Sequence, residues 1–395
     1  MRRLLILVAV LVFVDTMLYA ALTPLLPHFA HELHLSKSRA GILVAAYAAG
    51  ALIGGIPGGV AAVRLGARRA VLVGLAGMGL AGLGFAFAGG FWTLFAARLL
   101  QGVGSGFTWA GAFAWLLAAA PRQRRGELIG TAMGSATFGA LFGPVVGAAA
   151  ALLGRSVVFS ALAALAVVLA AMTLRIAPVP QEPLPSARSV GRALRHRLFV
   201  GGLALMALPS LLFGVLSTLG PLHLSRAGWG AAAIGAVWLA GAALESVQAP
   251  LVGRISDRRG LLLPVRIALV GSVLVSLGLA LGARPLVYAP LVVLAAMAYG
   301  TLFTPAFILL SNGAEQVGLA QGMAFGLMNA AWASGAMIGP SVGGAIAGAT
   351  GDWIPYLLAA LACLTALVAA TRSDHERAAV LVDRLSGDAP GIGRQ

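Results

Sequence analysis

Long apolar runs without a charged side chain alternate with short arginine-rich segments along the whole chain. A membrane-spanning helix needs about 20 apolar residues, so each run is long enough to cross a bilayer. In chain order the apolar runs that mark these spans cover about residues 4–26, 40–63, 70–97, 99–121, 128–154, 156–174, 198–225, 227–244, 267–283, 285–314, 316–351 and 353–371. The pattern predicts an all-α membrane protein with twelve transmembrane helices.

Composition supports this prediction. The 395 residues are 60% hydrophobic and only 10% charged, whereas soluble domains carry nearer a quarter of charged residues. The 53 glycines suit close packing between membrane helices. This composition excludes a soluble globular protein. The single cysteine, Cys363, cannot form an internal disulfide.

The charge distribution predicts the orientation. A net charge of +15 would favour nucleic acid as a partner of a soluble protein. If the N-terminus is cytoplasmic, however, 21 of the 27 Arg and Lys residues fall in cytoplasmic segments. This asymmetry follows the positive-inside rule. We expect a multi-pass protein of the cell (plasma or inner) membrane with both termini cytoplasmic, and no nucleic-acid partner.

Two sequence motifs each occur twice, and the distance along the chain between the two copies is nearly the same for both motifs. Gly-x3-Val-Arg-x-Gly at 59–66 returns as Gly-x3-Asp-Arg-x-Gly at 253–260, and Gly-x3-Gly-Pro-x2-Gly at 139–147 returns at 335–343. A duplicated six-helix unit explains both offsets, and such repeats occur in transporters. We expect two pseudo-symmetric halves: a bundle over 1–174, a cytoplasmic linker over 175–197, a second bundle over 198–372 and a cytoplasmic tail over 373–395.

These motifs, in this order, resemble those of the major facilitator superfamily. The loop at 253–260, the fourth-span stretch from Arg98 and the Gly-Pro string at 139–147 are similar to its loop, fourth-span and exporter motifs. The stretch from Asp15 to Pro27 resembles the first span of drug:proton antiporters and vesicular monoamine transporters. The resemblance implies a transporter rather than an enzyme. In the family an aspartate of the first-half loop forms a cytoplasmic latch, which is a charged contact between the halves. Val63 stands at that position here, which puts the first-half latch in doubt, whereas Asp257 and Arg258 could serve in the second half.

Three charged residues fall within predicted spans: Asp15, Arg98 and Glu245. A charge inside a bilayer is costly unless it is paired or faces water, and such residues usually serve function. Their counterparts in the repeat are uncharged. We expect these three to carry proton coupling and substrate binding; the alternative is a structural pair for each.

Two further sets of residues have weaker signals. Aromatic and polar side chains within the spans could line a cavity and hold a cation by their π-faces, although helix packing is the alternative: Tyr19, Gln101, Trp109, Trp238, Gln248, Tyr299, Asn329 and Trp332. Small residues and prolines could form close contacts between halves that slide: Gly139, Gly143, Pro144, Gly147, Gly335, Gly339, Pro340 and Gly343.

The sequence favours a monomeric secondary transporter that exports a small cationic amphipathic compound in exchange for protons. A symporter or facilitator for a neutral or anionic metabolite, such as a sugar, is the first alternative. A non-transporting membrane scaffold is the second. No P-loop or nucleophile-elbow motif is present, so ATP-driven pumping and hydrolysis have no support. We expect no cofactor and no metal, and the partners are substrate, protons and lipid.

Overall fold

The computed structural model describes residues 2–119, 125–177, 187–282, 284–319 and 321–387. Helices are the only regular secondary structure in these ranges. They are α1 (Arg2–Ala20), α2 (Leu22–Glu32), α3 (Lys37–Arg64), α4 (Ala67–Phe87), α5 (Phe91–Ala119), α6 (Arg125–Leu153), α7 (Arg155–Leu174), α8 (Ala187–Ala193), α9 (Arg197–Arg226), α10 (Ala231–Arg259), α11 (Leu262–Ala280), α12 (Pro285–Thr301), α13 (Phe303–Gln316), α14 (Gln321–Thr350) and α15 (Trp353–Gly387).

Most of these helices are long and apolar enough to span a membrane. Ten stretches within the described residues meet that criterion, with α1–α2 and α12–α13 each counted as one interrupted span. The remaining long helices, α5 and α14, have 29 and 30 residues and pack against α3 inside the bundle. The predicted all-α membrane fold with twelve transmembrane helices in two halves is confirmed.

The ends of the helices differ from the ends of the apolar runs. Residues 88–90 separate α4 from α5, rather than Arg98, so Arg98 lies about two turns inside α5, within the fourth span as predicted. The eighth span continues past residue 244 to Arg259, which places Glu245 fourteen residues from each end of α10. A charge-free run shows where the membrane core lies, whereas a helix ends where turn-forming residues end it.

The glycine motifs pack helices within each half. In the N-terminal half a Cβ on Gly139 or Gly147 would clash with α1 and the α1–α2 junction. In the C-terminal half a Cβ on Gly335 or Gly339 would clash with the α9 backbone. Equivalent helix pairs therefore use equivalent motifs, as the repeat predicts. The expectation that these glycines lie between the halves is wrong, because the side of each glycine where a Cβ would be attached packs against the first helix of its own half.

The prolines of the motifs do approach the opposite half. Gly41 on α3 lies directly against the backbone of Pro340 on α14. Gly235 on α10 faces the carbonyl of Pro144 on α6. The halves are thus joined through α3 with α14 and through α6 with α10.

An ionic cluster also joins the two halves. Lys37, which begins α3, places Nζ 2.6 Å from Oδ1 of Asp352, which lies between α14 and α15. Arg226, which ends α9, places a guanidinium nitrogen 2.5 Å from the other carboxylate oxygen. Partial burial alone would raise the pKa of Asp352, but Lys37 and Arg226 hold that pKa below its ordinary value. The carboxylate therefore stays ionised between two cations.

Candidate transport site

A cavity of about 220 Å³ lies between the two halves. Its walls come from α1, α2, α3, α5 and α6 of the first half and from α9, α10, α12, α13 and α14 of the second. Most of the lining is apolar, and its charged members are Arg98 and Glu245. Of the predicted cavity aromatics, Tyr19, Trp238 and Trp332 line it. The cavity combines aromatic walls with one acid and one base from opposite halves.

Glu245 provides the acid of the cavity. Its position at the middle of α10 places the carboxylate on the wall contributed by the C-terminal half. The carboxyl group packs against Gly300 of α12, where a Cβ would occupy its space. In the part of the chain that the structure describes, no hydrogen bond or ion pair reaches Glu245. Its charge is therefore available to a molecule in the cavity.

Arg98 has a different environment, because its guanidinium is already engaged. One terminal nitrogen donates to the carbonyl of Leu18 at 3.2 Å and to Gln101 Oε1 at 2.9 Å. The other donates to the carbonyl of Tyr19 at 2.7 Å. Both carbonyls belong to the last turn of α1, the negative end of the helix dipole. The cation thus caps α1, and only 2% of Arg98 is exposed.

Asp15 is enclosed rather than exposed to the cavity. Its Oδ2 accepts hydrogen bonds from the Tyr47 hydroxyl at 2.8 Å, the Ser105 hydroxyl at 2.8 Å and the Trp109 indole at 2.7 Å. Its Oδ1 is buried without a hydrogen-bond partner among the described residues. Asp15 does not belong to the cavity lining. No ion pair joins Asp15 to Arg98 within the described ranges.

Tyr47 and Ser105 complete this site, and the sequence analysis missed both. Ser105 could have been found, because Arg98, Gln101, Ser105 and Trp109 follow one another at spacings of three and four residues. That spacing places polar groups on one face of a helix. Tyr47 had no such signal, because it is an isolated tyrosine in an apolar run.

Four predicted cavity candidates lie elsewhere. Gln101 binds Arg98, and Trp109 binds Asp15. Gln248 donates to the carbonyl of Met297 at 2.6 Å and also binds Thr301, which ties α10 to α12. The hydroxyl of buried Tyr299 lies 2.8 Å from that of Ser276. Their polar groups satisfy other protein groups.

Three more predicted residues complete the account. Asn329 is half-buried on α14 and is absent from the cavity lining. Arg258 is exposed near the end of α10. The side chain of Asp257 lies outside the described residues.

Comparison with known proteins agrees with this architecture. The family model for the Major Facilitator Superfamily matches residues 8–323. The chain belongs to this superfamily of membrane transporters. It is accordingly a multi-pass membrane transporter and not an enzyme.

Individual relatives match only part of the chain. A zebrafish (Danio rerio) protein described as a probable vesicular acetylcholine transporter-B is 32% identical over 155 residues, which cover 37% of this chain and 31% of that protein. The uncharacterized MFS-type transporter YcaD of Escherichia coli is 27% identical over 64% of this chain and 66% of its own. The matched part thus spans about a third of the first relative.

Solved structures share the fold. A bacterial homologue of the human lysosomal transporter Spinster, in an inward-facing and unoccupied conformation, superimposes with a TM-score of 0.74. The match covers 93% of this chain and 94% of that chain at 14% sequence identity.

Proposed function

We propose that the protein exports a small cationic amphipathic compound in exchange for protons by alternating access. The observation that carries the proposal is Glu245, an unpaired carboxylate on the wall of an otherwise largely apolar cavity. A carboxylate in such surroundings needs either a proton or a cation to offset its charge. Because the two compete for one group, bound cation displaces a proton, which is the elementary coupling of an antiporter.

The cavity walls favour an organic cation over a metal ion. Trp238 and Trp332 come from the same half as Glu245, and Tyr19 comes from the other half. Aromatic rings bind ammonium and related cations through their π-faces. The matched segment of the acetylcholine transporter relative supports the same class, since acetylcholine is a quaternary ammonium compound.

Arg98 favours a second candidate function, the transport of an anionic or neutral metabolite. Arg98 also lines the cavity, and its buried Nε has no hydrogen-bond partner among the described residues. We rank this candidate second because the other guanidinium nitrogens already donate to Leu18, Tyr19 and Gln101. The charge that remains available in the cavity is that of Glu245.

The remaining parts of the proposal concern topology. The arginine distribution supports a cell-membrane protein with cytoplasmic termini. The end at which Lys37, Asp352 and Arg226 join the halves then faces outward. The two halves rock about the central cavity, and one chain suffices because each half supplies one wall.

The test is a flux assay in proteoliposomes that contain a pH-sensitive dye, with ethidium as the organic cation. Under an imposed proton gradient, the wild-type protein accumulates ethidium while protons move the opposite way. Glu245→Gln abolishes uphill accumulation, because the amide cannot exchange a proton. Glu315→Gln, at an exposed site on α13, is the matched control and retains it.

Two outcomes would contradict the proposal. Uphill ethidium transport that survives Glu245→Gln would remove the residue from coupling. Proton movement in the same direction as the solute, with a sugar or an acidic metabolite as substrate, would establish the symport alternative.

A further inference from the structure

Asp15 and the cavity are separated by other side chains. Only 1% of Asp15 is exposed, and three donors from α3 and α5 surround one of its carboxylate oxygens. A compound in the cavity therefore does not touch Asp15. If the charge of Asp15 changes during transport, a side chain that contacts both Asp15 and the cavity wall can carry the effect to that wall.

Tyr47 contacts both sides of this separation. Its hydroxyl lies 2.8 Å from Asp15 Oδ2 and 2.7 Å from Ser105 Oγ. Its ring centroid lies 4.9 Å from Cζ of Arg98 and 4.8 Å from the ring centroid of Tyr19. Arg98 and Tyr19 both line the cavity. Tyr47 thus joins the enclosed carboxylate to two groups that a substrate can reach.

The contacts continue into the second half. The Tyr19 ring meets the Trp332 ring edge-on, with 5.3 Å between centroids. Trp332 belongs to α14, which packs closely against the helix that carries Tyr47. A displacement of Tyr47 therefore acts on the contact between the halves as well as on the cavity wall.

The hydroxyl of Tyr47 can respond to the charge of Asp15. It has one hydrogen and two acceptors within reach, the carboxylate of Asp15 and the hydroxyl of Ser105. An ionised carboxylate is the stronger acceptor and holds this hydrogen. When Asp15 takes up a proton on its unpartnered Oδ1, Oδ2 becomes a weaker carbonyl acceptor, and the hydrogen of Tyr47 can turn to Ser105.

We propose that Tyr47 is a positioning residue that transmits the charge state of Asp15 to Arg98 and Tyr19 on the cavity wall. The proposal rests on the proposed exchange of a cation for protons, and it takes Asp15, as the sequence predicts, to gain and lose a proton during the cycle in addition to Glu245. The titratable groups that face Tyr47 within the described residues are Asp15 and Tyr19 from α1 and Arg98 from α5. From α14, the nearby Trp332 contributes no charge.

The first test needs no substrate. Infrared difference spectra of the purified protein, recorded between neutral and acidic buffer, should contain a carboxyl band that Asp15→Asn removes. They should also contain a tyrosine ring band that disappears in both Asp15→Asn and Tyr47→Phe. Tyr288→Phe is the matched control, because it removes a buried hydroxyl that binds Tyr356 instead. The tyrosine band should survive in that variant.

Three spectroscopic results would overturn the proposal. They are the absence of any carboxyl band assigned to Asp15, an Asp15 band without an accompanying tyrosine band, and a tyrosine band that persists in Tyr47→Phe. Since no transport is involved, these results stand even if the exchange of ethidium for protons fails.

The second test is a double-mutant cycle in the flux assay. Tyr47→Phe should lower the maximal exchange rate about tenfold or more, with the ethidium KM changed less than about twofold, because a hydrogen bond to a charged group is lost and the cavity wall is kept. In the Asp15→Asn background the same substitution should change the rate less than about twofold. Equal losses in both backgrounds would show that Tyr47 acts independently of Asp15 and would overturn the proposal.

Discussion

The ionic cluster of Lys37, Asp352 and Arg226 permits a quantitative prediction about the contact between the halves. Lys37 and Asp352 belong to opposite halves, and their charged atoms lie 2.6 Å apart with the side chains 28% and 20% exposed. An exposed pair contributes about 0.2–1 kcal/mol, and truncation of a fully buried pair costs about 3–5 kcal/mol. This partly buried pair falls between these limits, at about 1–2 kcal/mol. Asp352→Asn should therefore increase the population in which this contact is open by roughly five- to thirtyfold.

The assay exploits the composition of the chain. Lys37 is the only lysine in the sequence, so a membrane-impermeant amine reagent labels it and, at most, the N-terminus. Lys37→Met gives the background. The labelling rate of Lys37 in proteoliposomes at pH 7 should rise about five- to thirtyfold in Asp352→Asn.

The control variant separates opening from local chemistry. Arg226→Met removes the second cation but leaves the pair across the halves, because Arg226 and Asp352 belong to the same half. It should change the labelling rate less than about threefold. An unchanged rate in Asp352→Asn, or an equal rise in Arg226→Met, would refute the role of this pair in closure.

Further predictions concern pH, packing and the central base. The pKa of Asp352 lies below its ordinary value, so the stabilisation that this carboxylate provides is complete above about pH 4 and is lost as the pH falls through the lowered pKa. The difference in Tm between wild type and Asp352→Asn should therefore be constant from pH 8 to 5 and shrink below pH 5. Gly143→Val should lower the Tm of the purified protein markedly, at a cost of about 1–3 kcal/mol or more, because the new side chain meets the backbone of α1, whereas Gly134→Val, with open space at the Cβ, should not. Arg98→Lys should reduce ethidium flux at least about tenfold, since an ammonium cannot reproduce the planar geometry of the two bonds that cap α1 and the bond to Gln101. Flux equal to wild type would show that this cap is dispensable.

Much of the fold could be predicted from the sequence. Apolar runs of membrane-spanning length give the number of helices, because the bilayer imposes one length on all of them. The duplicated motifs give the two halves, since Gly139 and Gly335 perform the same packing task against α1 and α9. Boundaries were less predictable, because Gly89 and Gly90 end a span inside an apolar stretch.

The candidate site was predictable only in part. A charged side chain is energetically costly inside a bilayer, and this cost singles out Asp15, Arg98 and Glu245 regardless of the fold. Which of them faces a cavity depends on how each helix is rotated about its own axis, and the apolar pattern of a helix buried on many sides does not specify that rotation. The enclosure of Asp15 by Tyr47 also needs three helices to meet, which no spacing along one helix can show.

The proposed function requires Glu245 to exchange a proton for the substrate cation. It can be tested most directly by measuring proton release from the purified protein in weakly buffered detergent when ethidium is added. We expect the wild-type protein to release protons in a fixed ratio to the cation bound, whereas Glu245→Gln should release none and Glu315→Gln should match the wild type. Ethidium binding without proton release in the wild type, or equal release from Glu245→Gln, would show that Glu245 does not exchange a proton for the cation.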